Sequence, residues 1–162
     1  MPSSAICKDR VVIITGAGGG LGASYAKALA AEGAKVVVND INAQAAQSTV
    51  DAIKAAGGEA IANTSDITNY EDSANAVKQA VDTFGALHAV VNNAGICRDR
   101  IFASLSEADW DAVIAVHLKG HFCISSHAVH YWRDRSKQGE KVDARIVNTS
   151  SGAGLNGSVG QS

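Results

Sequence analysis

The chain has 162 residues, 46% of them apolar and 19% charged, with a formal net charge of −2. That supplies material for a buried core and too little charge of one sign for a disordered chain or an electrostatic binder of nucleic acid. Its longest apolar runs, such as Val11–Ile14, fall far short of the roughly 20 residues that a bilayer-spanning helix needs, so neither nucleic acid nor membrane is expected as a partner.

Arg10–Thr15 is a β-branched run ended by glycines, the pattern of a strand buried on both faces. Leu21–Glu32 is Ala-rich with apolar residues at helical spacing, and Gly33 closes it. Lys35–Asn39 reads as the second strand and Ala43–Ala56 as the second helix, stopped by Gly57 and Gly58. Glu59–Asn63 is a weaker third strand, Tyr70–Phe84 a third helix ended by Gly85, and Leu87–Asn92 a fourth strand. After a loop over 93–106, one long helix is predicted from Glu107 to about Arg135. Ser106 is its N-cap, and Glu107 and Asp109 suit the positive end of its dipole. Ser136–Asp143 reads as a surface loop, Ala144–Thr149 as a fifth strand, and the small-residue tail Ser150–Ser162 as irregular. Strands alternating with helices predict right-handed βαβ units, hence an α/β fold with a doubly wound parallel sheet of about five strands. No linker interrupts residues 1–162, so a single domain is expected.

Cys7, Cys97 and Cys123 are odd in number and widely spaced, which fits reduced thiols rather than a disulfide framework. The first ten residues lack the apolar core of a signal peptide, and a cytoplasmic location is expected.

The first strand runs into Thr15-Gly16-Ala17-Gly18-Gly19-Gly20-Leu21-Gly22. Gly16 allows a sharp turn, Gly20 leaves room for a phosphate to approach the backbone, and Gly22 lets the helix pack closely. The helix amides and dipole then face a diphosphate. The bland alternative is an ordinary strand-to-helix connection, but the turn stands in the context that a dinucleotide site requires. Asp40 ends the second strand, 18 residues beyond Gly22, where a carboxylate reaches the adenosine ribose. It would repel a 2′-phosphate, at about 4 kcal/mol for charges roughly 4 Å apart at an effective dielectric near 20. No Arg or Lys stands in the turn or just after Asp40, so NAD is expected over NADP. A competing role for Asp40 is the N-cap of the second helix.

Taken in order, Thr15–Gly22, Asp66-Ile67, Asn92-Asn93-Ala94-Gly95 and Asn148-Thr149-Ser150-Ser151-Gly152 resemble the motifs of the short-chain dehydrogenase/reductase family over essentially the whole chain. The resemblance implies a Rossmann-like fold and cofactor contacts at Gly16, Gly20, Leu21, Gly22, Asp40, Ile41, Asp66, Ile67, Asn93, Ala94, Gly95 and Val116. It implies a catalytic serine at Ser151, with Ser150 the alternative, and a small alcohol or ketone substrate. It also implies a homo-oligomer, dimer or tetramer, built on the long helix. Two departures stand out. In Val116-His117-Leu118-Lys119-Gly120, His117 occupies the place of a family Asn that helps hold a water in the proton relay. In this it resembles the 3-hydroxyacyl-CoA dehydrogenase domains of multifunctional β-oxidation enzymes and related steroid dehydrogenases. Second, the family's proton-transferring Tyr-x-x-x-Lys, counted from Ser151, would begin two positions beyond Ser162. The expectation is therefore the N-terminal, cofactor-binding part of a longer NAD-dependent dehydrogenase, incomplete at its C-terminus and not competent alone. The rival is a non-catalytic NAD-binding or interaction module ending at Ser162.

His117 and His121, and His127 and His130, are pairs without a third ligand, so no metal site is expected. Cys97, Trp110 and Trp132 are read as packing residues, and Arg133–Lys141 as a solvated loop.

Overall fold

The structure, a computed structural model, describes residues 5–161. Five strands, β1 (Val11–Thr15), β2 (Lys35–Asn39), β3 (Glu59–Asn63), β4 (Ala89–Asn92) and β5 (Arg145–Asn148), form one sheet in the order β3-β2-β1-β4-β5. Every pairing is parallel. The chain winds outward from β1 to β3, then crosses back to start β4 on the other side of β1. In such sheets the crevice above the carboxyl ends of the two central strands is where ligands bind.

Alternating side chains of the central strands feed two cores. Val12, Ile14, Val36 and Val38 pack under α1 (Gly20–Ala31) and α2 (Ala43–Ala55) with Ala26, Val50 and Ile53. Val11, Ile13, Val37 and Val90 pack under α3 (Tyr70–Phe84) and a helix of the third crossover with Val77, Ile124 and Trp132. Trp132 is a packing residue, and its indole N–H donates to the Leu87 carbonyl at 2.7 Å. Among the described residues β5 pairs only with β4, and its Ile146 and Val147 are exposed.

The predicted strands and first three helices agree with the structure to within two residues at each end. Two regions differ. The single long helix is instead α4 (Glu107–Ile114), a π-helical turn at Ala115–Gly120, and α5 (His121–Lys137). Ser106 caps α4 as expected, accepting from the Asp109 amide at 3.1 Å. The helix widens where His117 reaches across to Ile96 and Gly120 abuts Ile67. A π turn spends one extra residue to re-aim such side chains. α5 also absorbs the first residues of the expected 133–141 loop. The tail is not irregular throughout: Ala153–Asn156 forms a short helix, α6, and the Arg100 amide donates to the Gly160 carbonyl at 2.7 Å.

His88 ties the amino-terminal edges of β1, β4 and β5 together. Its Nδ1 accepts from the Val11 amide at 2.9 Å, and its carbonyl accepts from the Arg145 amide at 3.0 Å. Burial, and then the neighbouring Arg10, lower its pKa from the usual 6.5. Burial lowers that of His121 in the same direction. With the folded-state pKa below the unfolded value, the unfolded chain binds more protons in the window beneath 6.5. The stability is therefore complete above that value and is lost as pH falls below it. Thermal unfolding at about pH 7.5 and about pH 5.5 should show a lower midpoint in acid, and His88→Gln should flatten the dependence. An unaltered slope in the variant would remove His88 from this account.

Candidate functional site

Above the carboxyl edge of the sheet lies a cleft of about 790 Å³. Thr15, fully buried, lies beneath it. The hydroxyl accepts from the amides of Asn93 at 3.0 Å and Ala94 at 3.1 Å, which draws the exit of β4 onto the exit of β1. The Asn93 side chain returns the contact, donating to the carbonyls of Thr15 at 3.0 Å and Gly16 at 3.3 Å. Gly16, at φ +63°, makes the turn, and a Cβ there would sit 2.8 Å from Ala94 Cα. Gly22 lies behind the turn. Its close approach is to Gly16 and Asn93 rather than to the strands themselves.

Asp40 stands at the cleft wall with both oxygens oriented. Oδ2 accepts from the Gly18 amide at 3.0 Å, and Oδ1 accepts from the Asn42 amide at 2.9 Å. Asp40 is not the N-cap of α2; Asn42 is, accepting from the Ala45 amide. The wall continues through Ile41 and then Asp66 and Ile67, with the Asp66 carboxylate held by the Thr68 amide at 2.8 Å and hydroxyl at 2.7 Å. Leu21 and Ile41 are 63% and 76% exposed, large apolar side chains at the rim with no packing duty. Val116, on the π turn, and Gly95 close the far side.

A second cavity, of about 310 Å³, adjoins the first through Ile96. Ser151 and His117 both line it, together with the apolar side chains of Leu105, Trp110, Val113 and Ile114. Ser151 Oγ accepts from the Ala153 amide at 3.2 Å, which leaves its own proton free to donate. His117 Nε2 lies 2.8 Å from the Ile96 carbonyl oxygen and 3.0 Å from the Ile96 amide. It donates to the first in one tautomer and accepts from the second in the other. Trp110 and Cys97 are therefore not packing residues: both are exposed and face this cavity. Among the described residues no three His, Cys, Asp or Glu side chains gather as a metal site.

The family model described as short chain dehydrogenase matches residues 10–162. The chain belongs to the short-chain dehydrogenase family. A crystal structure of a short chain dehydrogenase from Mycobacterium avium superimposes with a TM-score of 0.93 at 57% identity, covering 96% of this chain and 59% of that one. The hydroxyacyl-CoA dehydrogenase ChsB1 of Mycobacterium tuberculosis is 48% identical over 159 residues, 94% of this chain and 50% of that enzyme. The mouse peroxisomal multifunctional enzyme type 2 is 44% identical over 161 residues, 94% of this chain and 21% of that enzyme. The chain thus spans half or less of the length of these two curated relatives.

As a short-chain dehydrogenase fold, the molecule gathers ten of the twelve cofactor-contact candidates around one cleft: all but Gly20 and Gly22 line it. Gly20, at φ +52°, shapes the turn, and Gly22 supports it from behind. The two catalytic candidates share the adjoining cavity. Sequence reading missed Thr15 as the clamp, Gly18 as a partner of Asp40, and Asn39 as a lining residue. For Thr15 and Asn39 the only local signal was a polar residue closing the strand, and for Gly18 it was a place in the glycine turn. Thr15→Val would leave two part-buried amides without an acceptor, at about 1 kcal/mol each, the low end of the range for an unmade bond. It should therefore lower stability by about 2 kcal/mol or more in urea unfolding, with faster hydrogen exchange at Asn93 and Ala94. Unchanged exchange there would refute the clamp.

Proposed function

We propose that residues 1–162 are the NAD-binding domain of an oxidoreductase that interconverts a secondary alcohol and its ketone. The observation that carries the cofactor is Asp40, an oriented carboxylate in a cleft whose lining includes a second acid, Asp66, and neither Arg nor Lys. A diol of the ribose finds acceptors there, whereas a 2′-phosphate finds only repulsion. The glycine turn fits a dinucleotide as well. Positions Gly19 and Gly20 have nothing within 4 Å of where a Cβ would stand, so a diphosphate can reach the backbone at the start of α1.

When bound, NAD would supply the hydride acceptor for the alcohol carbon, or the hydride donor for the ketone, and the alcohol's hydroxyl proton would pass to the tyrosine of the family's Tyr-x-x-x-Lys in the whole protein. Ser151 binds the substrate oxygen, its hydroxyl donating while the Ala153 amide fixes its lone pair. His117, anchored to Ile96 through Nε2, keeps Nδ1 for a water beside that oxygen. The apolar wall of Leu105, Trp110, Val113 and Ile114 favours a substrate with a hydrocarbon part. With relatives named as a hydroxyacyl-CoA dehydrogenase and a [hydroxy(phenyl)methyl]succinyl-CoA dehydrogenase, the substrate is taken to be a 3-hydroxyacyl-CoA. Leu118, Phe122 and Val129, exposed along the π turn and α5, support assembly into a homo-oligomer. The free thiols of Cys7, Cys97 and Cys123 fit a cytoplasmic setting.

Fluorescence titration tests the cofactor directly: saturable binding of NADH, with NADPH at least about tenfold weaker, is expected from the charge argument. Saturation by neither would sink the proposal. In the whole protein, Ser151→Ala should cut kcat for a 3-hydroxyacyl-CoA by about 10²-fold, the usual loss of one oxygen-holding donor. NADH affinity should be unchanged; a full-rate variant would free Ser151 of its role.

A further inference from the structure

All five strands end in a polar residue: Thr15, Asn39, Asn63, Asn92 and Asn148. Asn39 lies between Thr15 and Asn63 in register and is 2% exposed. Its Nδ2 donates to Asn63 Oδ1 at 2.7 Å and to the Ser65 carbonyl at 2.9 Å. Asn63 Oδ1 also accepts from the Ser65 amide at 3.1 Å, and Asn63 Nδ2 donates to Gln79 Oε1 at 2.8 Å. Gln79 Nε2 closes the chain on the Ala62 carbonyl at 3.0 Å. The backbone of Asn39 faces the other way: its carbonyl accepts from the Ala17 amide of the glycine turn at 2.9 Å. Its neighbour Asp40 donates from its amide to the Asn63 carbonyl at 3.0 Å.

One residue therefore touches three separate pieces of the cleft. The glycine turn hangs on its carbonyl, Asp40 follows it in the chain, and Ser65, which leads into Asp66 and Ile67, hangs on its side chain. We propose that Asn39 is a positioning residue that locks these three walls into one adenosine-binding unit, with Asn63 and Gln79 as its relay into α3. An apolar residue in the same place would fill the space and satisfy the core. It would leave the Ser65 carbonyl without its donor and let the 65–68 wall move independently of Asp40. A buried amide with all these partners rigidifies the groups it joins.

The proposal rests on the dinucleotide reading, and the test separates the two. ADP-ribose, which lacks the nicotinamide, is titrated calorimetrically into the unaltered chain and into Asn39→Leu. Hydrogen exchange is followed over residues 65–68. Failure of the unaltered chain to bind would overturn the dinucleotide reading and this inference with it. Expected instead is binding that weakens at least fivefold in Asn39→Leu, with faster exchange at 65–68 and unaltered exchange in β1 and β4. Equal affinity in the two proteins, with or without a lowered melting temperature, would overturn the positioning role while sparing the dinucleotide reading. If Asn39→Leu does not fold, Gln79→Ala, at the half-buried end of the relay, carries the same test with an expected loss of about threefold in affinity. No loss there overturns the proposal equally.

Discussion

Gly22→Ala should abolish measurable dinucleotide binding and lower stability by about 3 kcal/mol, the upper end of what overpacking costs. The added Cβ would stand 2.3 Å from the Gly16 carbonyl oxygen, 2.6 Å from Asn93 Nδ2 and 2.9 Å from Ala17 Cα. Two of the three are backbone atoms, so neither can swing aside as a side-chain end would. The third belongs to the amide that holds the β4 exit to Thr15 and Gly16. Relief requires α1 to back away from the turn, which removes the helix N-terminus from the place where a diphosphate would sit. Urea unfolding and NADH titration of the same sample measure both effects. Gly19→Ala is the control, because a Cβ there meets nothing within 4 Å. If Gly22→Ala binds NADH as tightly as the parent, the close approach is not what the site depends on.

The second large effect concerns cofactor choice. Asp40→Ala should weaken NADH by about tenfold, as charge-assisted bonds worth about 1.5–3 kcal/mol are lost to a partly exposed site. It should also relieve the repulsion that disfavours NADPH, so the ratio of the two affinities should move by about 10²-fold toward NADPH. Asp40→Asn separates charge from geometry. It can still accept from the Gly18 amide, as Oδ2 does now at 3.0 Å, but carries no charge. Its NADH loss should be smaller than that of Asp40→Ala, with most of the ratio change retained. A ratio that stays constant across all three proteins would place the ribose elsewhere. Raised ionic strength should narrow the difference between the cofactors in the unaltered chain only, since screening acts on the charge that the variants lack.

Gly22 and Asp40 both act through sequence neighbours together with partners far away in the chain, and that division runs through the whole molecule. The β-branched runs at Val11–Thr15 and Lys35–Asn39, the Ser106 cap and the closing glycine at Gly85 are short-range signals. Each is decided within a few residues, so the order of elements and the parallel doubly wound sheet were legible. The glycine turn and Asp40 were legible for the same reason, because the strand-to-helix geometry that makes them a site is itself local. Trp110 and Cys97 were misread because an apolar side chain beside a cavity and one inside a core have the same sequence signature. Only the approach of Ser151 and the tail residues Gly160 and Gln161 makes a cavity there.

What the sequence determined by itself was the alternation of strand and helix, the turn at Gly16–Gly22 and the acid at the end of β2. Tertiary structure alone decided the rest. The Thr15 hydroxyl meets its partners 78 and 79 residues away, and the Asn39 amide meets Asn63 across 24. The π turn opens where His117 reaches Ile96, 21 residues back. A side-chain hydrogen bond of that reach follows no period and leaves no spacing to read. It exists only once burial in the folded sheet removes water as the competing partner, and the choice of partner is then set by the register of neighbouring strands.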